Sequence, residues 1–92
     1  MAQTIIEQVR AFVRDAFYAP ADLGDEASLL DTGTMDSTGV IELITFLEQR
    51  FGLAIGDREL RPENFDSIRR VADFVERKRR LAEPRSPIAE RL

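Results

Sequence analysis

Few side chains in this 92-residue chain could do chemistry, because cysteine and histidine are both absent. Without thiols or imidazoles the usual nucleophiles, general bases and transition-metal ligands are missing, so hydroxyls and carboxylates remain. The pair that stands out is Asp36-Ser37, at the end of Leu30-Asp31-Thr32-Gly33-Thr34-Met35 and followed by Thr38-Gly39 and an amphipathic run, Val40 to Phe51. A loop becomes a helix there. A phosphate esterified to Ser37 would meet unpaired backbone N–H groups and the positive end of the helix dipole. The chemistry is that of a covalent phosphodiester anchor. Asp-Ser at a helix start is also ordinary capping, and Asp66-Ser67-Ile68 provides an internal comparison. The helix after that second pair opens with Arg69 and Arg70 and carries no acidic face like that of Glu42 and Glu48, and Ser67 reads as a cap. Carboxylates are plentiful, but no histidine or glycine-rich phosphate loop accompanies them, and catalysis by a carboxylate pair is not supported.

The elements that must position Ser37 are helices. From Thr4, the residues Ile5, Ile6, Val9, Phe12, Val13 and Phe17 repeat at helical spacing, and the helix stops near Tyr18-Ala19-Pro20 because the residue before proline is pushed out of the α region. Ala21 to Met35 reads as a long ordered loop with Leu23, Leu29 and Leu30 as pins into the core; loops of this length in a compact domain are usually functional. Asp36 or Ser37 can cap the second helix, whose inward stripe is Val40, Leu43, Ile44, Leu47 and Phe51, with Gly52 ending it. Glu42, Thr45 and Gln49 point away from the core, flanked by Ile41 and Glu48 on one side and Phe46 on the other. Leu53 and Ile55 turn inward in a connector, Pro62 starts a short helical turn through Phe65, and Asp66 or Ser67 caps a last helix. That helix buries Ile68, Val71, Ala72 and Val75, with Phe74 alongside, and exposes Arg69, Arg70, Asp73 and Arg77. The predicted architecture is all-α, three main helices plus one short one, with residues 1–80 as the domain and 81–92, which hold Pro84 and Pro87, as a flexible tail.

Hydrophobic content of 43% and charged content of 33% fit one small globular domain. Up to Val75 the formal charge is −7 and beyond it +3, giving the overall −4. An acidic body argues against nucleic-acid binding and for basic partners. Arg77-Lys78-Arg79-Arg80 suits the negative end of the last helix. No basic leader or long apolar run marks a signal peptide or membrane span, so a cytoplasmic protein without membrane insertion is expected.

With this order of helices and Asp36-Ser37 followed by Ile41-Glu42-Leu43, Leu47-Glu48 and Phe51, the chain resembles the acyl carrier proteins over residues 4 to 80. The run Leu29-x-Asp-Thr-Gly-x-x-Asp-Ser-x-Gly39 is similar to that of D-alanyl and aminoacyl carriers, and Pro62-Glu63-Asn64-Phe65-Asp66-Ser67 to the third-helix junction of standalone carriers. The resemblance implies a non-catalytic carrier in which a phosphopantetheinyl transferase, typically using Mg²⁺, esterifies Ser37 with 4′-phosphopantetheine from coenzyme A. Asp36 would present the serine to that enzyme. Ile41, Glu42, Thr45, Phe46 and Glu48 would form the recognition surface for an acyl- or aminoacyl-activating ligase and a downstream acyltransferase. The carrier itself, a monomer binding no metal, would act by tethering a thioester at high effective concentration. Thr38 stands where the family prefers leucine, and Gly39, where many members are polar, costs about 1 kcal/mol of helix propensity against alanine. The aromatics of the first two helices and Gly39 leave less room for a long chain, which favours an aminoacyl or other short cargo. The alternative from another class is an unmodified acidic adaptor that binds a basic protein through Glu42, Glu48 and Ile41.

Overall fold

The computed structural model describes residues 3–82 and has an all-helical architecture. Helix α1 spans Ile5–Phe17, α2 Ser37–Phe51, α3 Pro62–Phe65 and α4 Ile68–Ala82, with a 3-10 turn at Asp57–Glu59 ahead of α3. That turn was not foreseen; it is fixed by the Glu59 carboxylate, which accepts the Gly56 N–H at 2.9 Å and the Lys78 ammonium at 3.0 Å. α4 extends through Ala82, two residues past the expected boundary, and residues 83–92 of the expected tail lie outside the described residues.

Each main helix starts on a side-chain cap. Thr4 Oγ1 accepts the Glu7 N–H and Glu7 Oε1 accepts the Thr4 N–H, a reciprocal capping box that satisfies two otherwise orphaned donors. Ser67, not Asp66, caps α4, its hydroxyl accepting the Arg70 N–H at 3.0 Å. α1 ends one residue earlier than proline alone requires, because Tyr18 takes the left-handed conformation at φ 54°.

The core is built from one stripe of each helix: Val9 and Val13 of α1, Leu43 and Leu47 of α2, Phe65 of α3, and Ile68, Val71, Phe74 and Val75 of α4, joined by Leu29 and Met35 of the loop. Full burial of such a side chain contributes about 1.5–3 kcal/mol. On the outer side of α1 and α2, Phe46 stacks on Phe12 with ring centroids 4.2 Å apart and meets Phe51 edge-on at 6.2 Å.

The long loop is held at both ends of its path. Arg10 of α1 grips Asp25 through two hydrogen bonds of 3.0 and 2.8 Å, and the Asp25 carbonyl accepts the Arg69 N–H of α4 at 2.9 Å. The hydrogen bond from Arg10 holds the Asp25 carboxyl below the usual carboxylate range. Farther along, Asp66 accepts the Ser28 hydroxyl at 2.7 Å and the Leu30 N–H at 2.9 Å. The expectation that Leu30 pins the core is corrected by this geometry. Leu29 fills the core position, while Leu30, 39% exposed, is turned outward by the bond from its amide to Asp66.

Candidate functional site

The junction of loop and α2 is closed by Asp36, not Ser37. Asp36 has an extended backbone, its Oδ1 accepts the Gly39 N–H at 2.8 Å, and its carbonyl accepts the Val40 N–H at 3.0 Å. Ser37 is therefore the first residue of α2, with its side chain in solvent. No hydrogen bond among the described residues uses its hydroxyl, and the amides of Ser37 and Thr38 have no acceptor there either. Ser67, the internal comparison, is 2% exposed and spends its hydroxyl on its helix. Of the two Asp-Ser pairs, only the first leaves its serine hydroxyl exposed and unbonded among the described residues.

Gly39 has a structural reason that propensity alone misses. It is buried, and a Cβ there would come within 2.9 Å of Met35 Cγ and 3.1 Å of Phe17 Cε1. The missing side chain lets the start of α2 close against the end of α1. A polar residue could not occupy this position without displacing both neighbours.

Beside Ser37 lies a cavity of about 220 Å³ with apolar walls from Leu30, Met35, Val40, Leu60 and Phe65, and with Arg61 as its one cationic lining residue. Ligand pockets usually exceed about 300 Å³, so this one suits a slender group. The cavity is not bounded by the residues expected to limit the space for cargo. The aromatics of α1 and α2 pack on one another and none lines the cavity, whose walls include Phe65 and Leu60.

The expected recognition residues occupy one continuous region of α2 but differ in exposure. Ile41 is 67% exposed, and Glu42 and Thr45 also face solvent. Phe46 is half-buried through its stack with Phe12, and the Glu48 carboxylate accepts the Ile55 N–H at 3.0 Å, which ties the connector to α2. Phe12, which the sequence reading assigned to packing, borders the same surface between α1 and α2. Its helical spacing gave no signal to distinguish it from the core.

An exposed hydroxyl at a helix start, amides without an acceptor next to it and a narrow apolar cavity alongside come together at this junction. The family described as "Phosphopantetheine attachment site" matches residues 7–75. An acyl carrier protein of Thermosynechococcus vestitus is 36% identical over 75 residues, which cover 80% of this chain and 90% of that protein. A D-alanyl carrier protein of Abiotrophia defectiva is 34% identical over 53 residues, 58% of this chain and 67% of that one. No solved structure matches. The chain belongs to the phosphopantetheine-binding carrier family, whose members hold acyl or aminoacyl groups on covalently attached 4′-phosphopantetheine.

Proposed function

We propose that Ser37 is the residue to which the arm is attached and that the protein carries a short acyl or aminoacyl group without catalysing a reaction itself. The observation that carries this reading is the contrast between the exposed, uncommitted hydroxyl of Ser37 and the buried, committed one of Ser67. When bound, 4′-phosphopantetheine supplies a terminal thiol that holds the cargo as a thioester. The protein's own contribution is positional. Asp36 fixes the first turn of α2 so that Ser37 projects outward at a defined place, and the amides of Ser37 and Thr38 remain available to phosphate oxygens.

Partners in this reading are a phosphopantetheinyl transferase, an acyl- or aminoacyl-activating ligase and a downstream acyltransferase, met in the cytoplasm. Ile41, Glu42 and Thr45 supply the exposed contact surface, with Glu48 and Phe46 setting its edges. Two observations support the cargo assignment: the small cavity beside Ser37 and the likeness to a D-alanyl carrier protein. Among the described residues no helix is long and apolar enough to cross a membrane.

Intact-mass measurement after incubation with coenzyme A and a broad-specificity transferase tests the attachment. A single phosphopantetheine adduct is expected on the unaltered chain and on Ser67→Ala, and none on Ser37→Ala. An unchanged mass for the unaltered chain, or an adduct on Ser37→Ala, refutes it. Loading assays with aminoacyl-adenylating ligases and with a long-chain acyl synthetase test the cargo, and charging by long-chain acids alone contradicts it.

A further inference from the structure

We propose that Arg61 is a positioning residue that pairs with the phosphodiester of the arm and so directs the arm across the cavity between α2 and α3. The inference rests on attachment at Ser37. Ser37 and Arg61 both line this one cavity, whose other named walls are apolar. An arm on Ser37 would place a permanent negative charge at the edge of that space, and Arg61 is the one cationic residue that lines it.

Arg61 is available for this. Its ion pair with Glu63 is 4.0 Å long, at the limit of contact, and both side chains are well exposed, so little is lost when the guanidinium turns to another anion. Its backbone is nevertheless fixed. The Arg61 N–H donates to the Glu59 carbonyl at 2.9 Å, its own carbonyl accepts the Asn64 N–H at 2.9 Å, and Pro62 follows at the first position of α3. A long side chain thus springs from a rigid point next to the cavity. Guanidinium suits a phosphodiester because its fork of N–H donors can bond two phosphate oxygens at once. Lysine would supply the charge but not the fork. With the phosphate held, Val40, Leu60 and Leu30, which line the same cavity, would offer an apolar wall to the carbons that follow it in phosphopantetheine.

The test compares apo and phosphopantetheinylated forms of the unaltered chain, Arg61→Lys and Arg61→Gln, each verified by intact mass. Thermal denaturation at low and high salt and the phosphorus-31 resonance of the arm are the readouts. Loading is expected to raise the melting temperature of the unaltered chain by a few degrees at low salt and less at high salt. The gain should shrink in Arg61→Lys and vanish in Arg61→Gln, whose phosphorus line should be sharper and shifted toward that of free phosphopantetheine. Equal gains and superposable phosphorus spectra in all three loaded proteins overturn the role of Arg61 while leaving attachment at Ser37 intact. Failure of the unaltered chain to load overturns both readings, and the mass spectrum alone reveals it.

Discussion

Asp36 and Gly39 are joined by a 2.8 Å hydrogen bond from the Gly39 amide to Asp36 Oδ1, and the two residues they enclose, Ser37 and Thr38, are both exposed. The carboxylate that precedes the serine is therefore a structural cap whatever else it does. Replacing it by alanine is expected to cost about 1 kcal/mol, and Asp36→Asn only a few tenths, because asparagine caps nearly as well. For a domain of this size the first change lowers the melting temperature by about 4–8 °C. If Asp36→Asn melts normally yet is loaded more slowly by a transferase, the charge acts in presentation as well as the cap.

Gly39→Ala separates helix propensity from packing. Propensity favours alanine by about 1 kcal/mol, whereas the new methyl would press on Met35 and Phe17 at 2.9 and 3.1 Å. Overpacking of a tight site costs about 1–3 kcal/mol, so a net loss is expected. Urea denaturation measures it, and a stabilised variant would show that Met35 and Phe17 move aside freely.

Acid should loosen the loop through Asp25. Its carboxyl is held below the usual range first by the hydrogen bond from Arg10, so its contribution is complete above the ordinary aspartate value of about 4 and is lost as pH falls through the lower folded value. Glu59 behaves alike, lowered first by the Gly56 N–H and further by Lys78. Arg10→Gln should be less stable at neutral pH and lose less on acidification than the unaltered chain. Parallel stability curves between pH 6 and about 2 would contradict the assignment.

Asp66→Ala removes the acceptor of both Ser28 and Leu30. A cost of about 1–2 kcal/mol is expected, since two part-exposed donors lose their partner. Amide hydrogen exchange should quicken for Leu30 and its neighbours while α1 amides in the same sample keep their protection, a pattern that global destabilisation would not give.

Much of this was legible in the chain because helical periodicity and burial agree: Leu43 and Leu47, and Ile68, Val71 and Val75, fall where their spacing places them. The short α3 was legible from Pro62, whose missing N–H is harmless at a first helical position. What escaped depends on contacts between distant segments. Whether Leu29 or Leu30 faces inward is decided by Asp66, and the burial of Gly39 by Phe17. Phe46 looked like an edge residue because a helical wheel carries no information about Phe12 on another helix. At the site itself, Asp-Ser occurs twice in the chain; Arg69 and Arg70 already marked Ser67 as a cap, and what the chain could not show is that Ser67 is buried and bonded to its helix while Ser37 is exposed.

The tie between Asp66 and the loop also bears on how chimaeric carriers should be cut. A graft that moves only this loop and α2 into a homologue would strip Ser28 and Leu30 of their acceptor unless the recipient supplies a carboxylate just ahead of its final helix. A cassette that keeps every tie of the loop therefore runs from α1, which supplies Arg10, through Asp66 to the Arg69 amide of α4.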